Sequence, residues 1–255
     1  MVNRSKYANE TTDMSAGAVF QEALRILNRQ HLPALSQHEV VTALEAGRSG
    51  LLSFLYEAGA EVNLSRTTLL HRAAAIYFSF CAANLCDDLT DGDCTYLVEP
   101  LRTGPCVQYI LHNLSFHALA GANLTKKALS TAAQDLVACG GKQLIEIRTH
   151  RWNAVTFRDV GEGIAGRQWA AYLRVLWNGT RLDTRAATVG MNLGIAVHVV
   201  EDIRTSDPRY TTLSKTDKQK IIAWARTAAK ALREEKLRCI DVVLLGIDPI
   251  LEGAV

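Results

Sequence analysis

Proline is scarce in this sequence. Five occur in 255 residues, at 33, 100, 105, 208 and 249, and none lies between Cys106 and Asp207. Proline breaks helix interiors, so a long proline-free stretch rich in Ala, Leu, Arg and Gln reads as several long helices. Sustained alternation of period two is also missing, and Asn-Gly occurs once, at Asn178-Gly179. That excludes a sheet-based fold. Excess charge of one sign is absent too: 28 Lys and Arg stand against 26 Asp and Glu, a net charge of +2. So small a balance excludes nucleic-acid binding by bulk electrostatics. The six cysteines form no CxxC pair and match no zinc spacing, so they read as buried reduced thiols of a cytoplasmic protein. Met1 to Met14 is polar, without the apolar core of a signal peptide. The most apolar run, Ala73 to Cys86, has 14 residues and includes Ser79 and Asn84. It suits a buried helix better than a membrane span, so no integral membrane segment is expected. There is no HExxH, no G-x-S-x-G and no glycine loop for phosphate. The four tryptophans read as packing residues.

What is present is an ordinary globular composition, 48% hydrophobic and 21% charged. The expected fold is all-α, with helices near 15–30, 37–59, 65–88, 105–121, 125–148, 155–178, 184–205 and 215–244. Ser36 with Glu39 has capping-box spacing, and Asp183 is another expected start. Gly59, Gly121 and Gly179 are expected stops. Residues 1–14 are expected to be loose, and 15–255 to form a single domain, since no linker or repeat interrupts them. The segments 65–88 and 184–205 are apolar almost all round, so both belong in the core.

Each of these core helices ends in acid. The first ends Asp87-Asp88-Leu89-Thr90-Asp91-Gly92-Asp93, the second Glu201-Asp202-Ile203-Arg204-Thr205-Ser206-Asp207. Asp87 and Asp91 are at i and i+4 and share a helix face, as do Glu201 and Thr205. Grouped carboxylates repel, and at a helix C-terminus they also face the negative end of the dipole. Hard divalent cations such as Mg²⁺ offset this by taking oxygen ligands and bridging carboxylates to phosphates. The alternative is a solvated acidic helix end balanced by nearby Arg or Lys.

Leu85 to Asp91 resembles the first aspartate-rich motif, DDxxD, of the trans-isoprenyl diphosphate synthases, the polyprenyl synthetase family. Gly140-Gly141-Lys142-Gln143 resembles the family's Gly-Gln motif with one residue inserted. Arg167-Gln168 stands where Lys-Thr is usual. Gly194 to Asp202 resembles G-x-A-F-Q-x-x-D-D, with His198 for Gln and Glu201 for the first Asp. These motifs occur in the family's order, over about residues 40 to 215. Gly47-Arg48-Ser49 matches the upstream Gly-Lys-Arg only in part, and Arg102-Thr103-Gly104 is what remains of Arg-Arg-Gly. The pattern is most similar to compact members such as the farnesyl-transferring enzyme of moenomycin biosynthesis, whose acceptor is not isopentenyl diphosphate. Glu201 to Thr205 also partly resembles the metal triad of class I terpene cyclases, whose final Glu would fall on Arg209.

The resemblance implies an isoprenoid-synthase helical bundle around a central cavity. It implies a prenyltransferase that ionises an allylic prenyl diphosphate with the help of three Mg²⁺ ions, releasing pyrophosphate and working as a homodimer. Asp87, Asp91 and Asp202 are the implied metal ligands; Asp88 and Glu201 act beside them, through water. Gln143, Arg167, Arg48 and Lys215 are candidates for the diphosphate, and Lys218 could join Lys215 in a lid. Ala82 and Ala83, with Phe80 and Tyr77 as floor, would line a pocket for a tail of fifteen to twenty carbons. His198 faces the site from four residues before Asp202, where it could quench a cation as a base. Two other readings stay open at this point: a terpene cyclase, and a non-catalytic subunit of a prenyl synthase.

Overall fold

The computed structural model describes residues 10–254. No strand occurs among them, and helices follow one another throughout. The chain divides into two compact units between Leu124 and Thr125. Of the segment expected to be loose, residues 10–14 open the first helix, and the rest lies outside the described residues.

The first unit contains α1 (Glu10–Asn28), α2 (Ala34–Ala46), α3 (Gly50–Glu61), α4 (Arg66–Asp91) and α5 (Pro100–Ala120). Helix α4 is its centre and packs against all four others. It starts where Ser65 accepts a hydrogen bond from the Thr68 amide at 3.3 Å, and ends at Gly92, whose φ of 79° only glycine adopts without strain. Between these caps Ala73 to Phe78, Cys81, Ala82 and Leu85 are buried. The small residues among them let α5 approach closely, and the Ser115 hydroxyl donates to the Ala75 carbonyl at 2.8 Å. Arg72 is buried as well. It donates from Nε to the Ala122 carbonyl and from Nη2 to the Asn123 carbonyl, each at 3.1 Å.

The helix expected over 37–59 is two helices. Gly47 lies against Cys81, and a Cβ there would stand 2.6 Å from its sulfur. Ser49 then turns to extended backbone and caps the Leu51 amide at 3.3 Å, starting α3. The capping box at Ser36 and Glu39 does not form. Helix α2 begins at Ala34 behind Pro33, whose ring presets φ at −53°, so Ser36 is already helical. Helix α3 runs past Gly59 to Glu61, whereas α5 stops at Gly121 as expected.

The second unit contains α6 (Lys126–Ile147), α7 (Ala154–Gly161), a π-helical turn (Glu162–Gly166), α8 (Arg167–Trp177), a 3-10 turn (Asp183–Arg185), α9 (Ala186–Thr205), α10 (Pro208–Thr211), α11 (Lys215–Glu234) and α12 (Arg238–Gly253). Helix α9 is its centre and packs against α8, α11 and α12. Its contact with α8 and the π turn is backbone on backbone. A Cβ at Gly190 would stand 2.5 Å from the Trp169 carbonyl oxygen, and one at Gly194 would collide with the Ala165 carbonyl. The segment expected over 155–178 is continuous through the π turn. That expected over 215–244 breaks after Glu234, where Lys236 takes a left-handed φ of 53°.

Helix α4 and the 183–205 segment are long and apolar enough to cross a membrane by composition alone. Buried shares of 67% and 56% in their most apolar stretches mark them as the core helices of their units.

Candidate functional site

The acidic end of α4 is open to solvent. Asp87 and Asp91 are exposed one turn apart, and Asp93 beyond the cap is exposed too. Asp88 is half-buried and accepts a hydrogen bond from the Tyr96 hydroxyl at 2.9 Å. Burial and this neighbouring carboxylate push the Tyr96 phenol far above its ordinary range. It therefore stays a donor and holds Asp88 to one side. The Asp88 carbonyl accepts from the Asp93 amide at 2.8 Å and the Cys94 amide at 3.1 Å, which folds the chain back over the helix end. The last turn of α4 carries no basic residue. Sequence reading missed Tyr96, because nothing in its local pattern ties it to Asp88.

The rest of the first-unit set lies along α4 and the α2–α3 junction. Ala82 is fully buried, while Ala83 and Phe80 are half-buried. Tyr77 is fully buried; its hydroxyl donates to the Leu44 carbonyl and its ring meets Phe20 edge-on at 6.3 Å. Arg48 is exposed, with its guanidinium 4.7 Å above the Phe20 ring.

The acidic end of α9 differs. Asp202 is only 4% exposed. Its Oδ1 lies 3.7 Å from Nη2 of Arg209, whose guanidinium also bonds Glu146 on α6 and both oxygens of Asp207. In the motif Arg209 falls where a Glu is expected, and nothing local marks Glu146; their separation of 63 residues hides the pair from local pattern. Glu201 is exposed and lies 3.5 Å from Arg204. His198 is half-buried, with its ring stacked on Phe157, 5.2 Å between centroids. Burial pushes its pKa down to about 4, so the imidazole is neutral at ordinary pH. Its Nδ1 is 3.8 Å from Asp202, beyond hydrogen-bond reach.

Elsewhere in this unit, Arg167 at the start of α8 donates to Asp135 at 3.1 Å, a carboxylate it shares with Arg174. Gln143 is half-buried on α6. Next to it Lys142 pairs with Asp159 at 2.6 Å. Lys215 is exposed on the first turn of α11, while Lys218 donates to the Thr211 carbonyl at 2.7 Å.

Among the described residues, no three His, Cys, Asp or Glu side chains form a ready-made metal cage. The all-oxygen pair Asp87 and Asp91 still fits Mg²⁺, which keeps several waters and needs only one or two carboxylates beside substrate phosphates. On α9, Asp202 fits a metal less well, because the Arg209 guanidinium that also holds Glu146 and Asp207 lies 3.7 Å from it.

No family model matches the chain, and no curated protein matches it in sequence. Solved structures do match it in shape. A geranyltranstransferase from Thermotoga maritima superposes with a TM-score of 0.74 at 15% identity, covering 96% of this chain and 100% of that one. A geranyltransferase from Legionella pneumophila gives 0.73 at 15% identity, covering 96% of each. A polyprenyl synthase from Caulobacter crescentus, solved with calcium and isoprenyl diphosphate, gives 0.65 at 15% identity, covering 99% of this chain and 92% of that one. The chain thus has the all-α isoprenoid-synthase fold that its sequence led us to expect.

Proposed function

We propose that this protein is a Mg²⁺-dependent prenyltransferase, which ionises an allylic prenyl diphosphate and passes the prenyl group to an acceptor. The observation that carries this reading is the end of α4: Asp87 and Asp91, exposed one turn apart, in a turn without basic residues. The fold of the prenyl-synthase neighbours supports it. Asp87 and Asp91 would hold Mg²⁺, which when bound would supply positive charge for the departing pyrophosphate. Asp88, fixed by Tyr96, completes the acidic rim. The candidate diphosphate ligands are Arg48 in the first unit and, in the second, Gln143, Lys215 and Arg167, the last through the planar fork that matches phosphate oxygens. Ala82, Ala83, Phe80 and Tyr77 line the path of a tail of fifteen to twenty carbons. His198, kept neutral by burial, is able to accept a proton. A homodimer in the cytoplasm belongs to the same reading.

Isopentenyl diphosphate is expected to be a weak acceptor, which ranks a different acceptor above ordinary elongation. That substrate is held mainly by its charge, and here Arg48 lacks a basic neighbour and no Arg-Arg follows Asp91. Each missing charge-assisted bond removes about 1.5–3 kcal/mol. The cyclase reading is weaker, because Arg209 replaces the final carboxylate of its triad.

The test is a substrate screen with mass-spectrometric product analysis. Pyrophosphate release from farnesyl diphosphate only when an acceptor is added supports transfer, and a Michaelis constant for isopentenyl diphosphate well above the micromolar range is expected. Release with a cyclic product would replace this reading with a cyclase. No release under any condition would leave a non-catalytic subunit.

A further inference from the structure

We infer that Arg209 is the built-in cation of the second acidic cluster, and that the carboxylates around it take no divalent metal. Only the complementary half of this statement, that metal binding is confined to the end of α4, rests on the functional reading above.

The guanidinium engages carboxylates from three separate places in the second unit. Nε donates to Oδ1 of Asp207 at 2.9 Å and Nη2 to Oδ2 at 2.8 Å, a two-pronged pair. Nη1 bonds Glu146 on α6, and Nη2 is 3.7 Å from Asp202 on α9. The local chain presets this arrangement. Ser206 ends α9 in a left-handed turn at φ 58°, the Asp207 amide returns to the Asp202 carbonyl at 2.9 Å, and Pro208 opens α10. Asp207 caps that helix by accepting the Arg209 amide at 2.7 Å. One carboxylate therefore fixes both the backbone and the guanidinium of the same residue.

A guanidinium has five donors in a rigid fork and cannot be deprotonated in a protein. It draws three carboxylates together, as a divalent ion does, but permanently. A metal at Asp202 would have to displace Arg209 from Asp207 and Glu146, or share their space with a like charge. The neighbouring groups do not alter this: His198 is neutral, and Glu201 is exposed beside Arg204. The chain thus binds fewer metal ions than the three its resemblance implies.

The test counts Mn²⁺ bound to the full-length protein by electron paramagnetic resonance, with inorganic pyrophosphate present. Wild type is expected to bind Mn²⁺. Asp87→Asn should weaken binding at least tenfold, and Asp202→Asn should leave it within twofold. Arg209→Met should gain one Mn²⁺ equivalent, lost again in Arg209→Met with Asp202→Asn. A tenfold loss in Asp202→Asn overturns the inference, as does a folded Arg209→Met that gains nothing. If Arg209→Met does not fold, Asp202→Asn in the wild-type background decides alone. If Asp87→Asn changes nothing, or wild type binds no Mn²⁺, the functional reading fails, and the inference is judged on the Arg209 and Asp202 variants.

Discussion

Helices α4 and α9 are built alike and end differently. Both are core helices of their units, apolar nearly all round, and both finish in a run of acids. Four residues before Asp87 stands Ala83; four before Asp202 stands His198. On α4, Asp87 and Asp91 are exposed and the last turn holds no base. On α9 the corresponding Asp202 is 4% exposed and faces an arginine seven residues further on. An acidic pattern by itself does not say whether charge is kept for a ligand or consumed by the fold. Burial and the placement of one cation decide it.

Substitutions at the two helix ends should separate activity from stability. The largest effect is expected from Asp87→Ala: prenyl-diphosphate ionisation should slow at least a hundredfold, a loss of about 3 kcal/mol of transition-state stabilisation. Its melting temperature should stay put, and full activity in excess EDTA would remove the role assigned to α4. Arg209→Ala should do the opposite to the fold. It removes the guanidinium that faces buried Asp202 and holds Glu146 and Asp207, which costs about 2–3 kcal/mol once the partial exposure of Arg209, 30%, is allowed for. Urea unfolding would measure this, and an unchanged midpoint would erase the contrast.

A comparable effect is expected from acid at His198 on α9. His198 titrates near 6.5 when unfolded and about 4 when folded, so the unfolded chain binds the extra proton first. Its contribution is complete above pH 6.5 and is lost as pH falls toward 4. Between pH 7 and 4.5 the wild type should lose about 2–3 kcal/mol more than His198→Gln. Parallel pH profiles of the two proteins would show that the imidazole is not the cause. The smallest effect concerns helix starts. Helix α4 has the Ser65 cap, whereas α9 follows a 3-10 turn with no side-chain cap. Ser65→Ala should lower stability by about 1 kcal/mol, read from the same urea curves.

Much of this was legible in the residues. The core helices expected at 65–88 and 184–205 are found at 66–91 and 186–205, because a helix without a polar face has one place to go. The breaks after Ala46 and Glu234 were not legible. In each case the apolar spacing carries on through the junction, and it is tertiary packing or a left-handed residue that interrupts the helix. The end of α4 could be read because its acids are close in sequence. Tyr96 lies eight residues from Asp88, Arg209 seven from Asp202, and Glu146 is 63 from Arg209. Those partners depend on how the chain turns back, which helical periodicity does not encode.

The glycine seam beneath α9 works as a mechanical datum. With no side chains between Gly190 or Gly194 and the carbonyls they meet, the separation of α9 from α8 and the π turn is set by main chain. From Gly194 to Asp202 the helix rises about 12 Å as a stiff shaft. The depth at which Asp202 meets its arginine is therefore gauged from the far end of that shaft, by main chain alone. Resizing the apolar side chains in between leaves that gauge untouched, while a single methyl group at position 194 would lift the whole shaft off its seat.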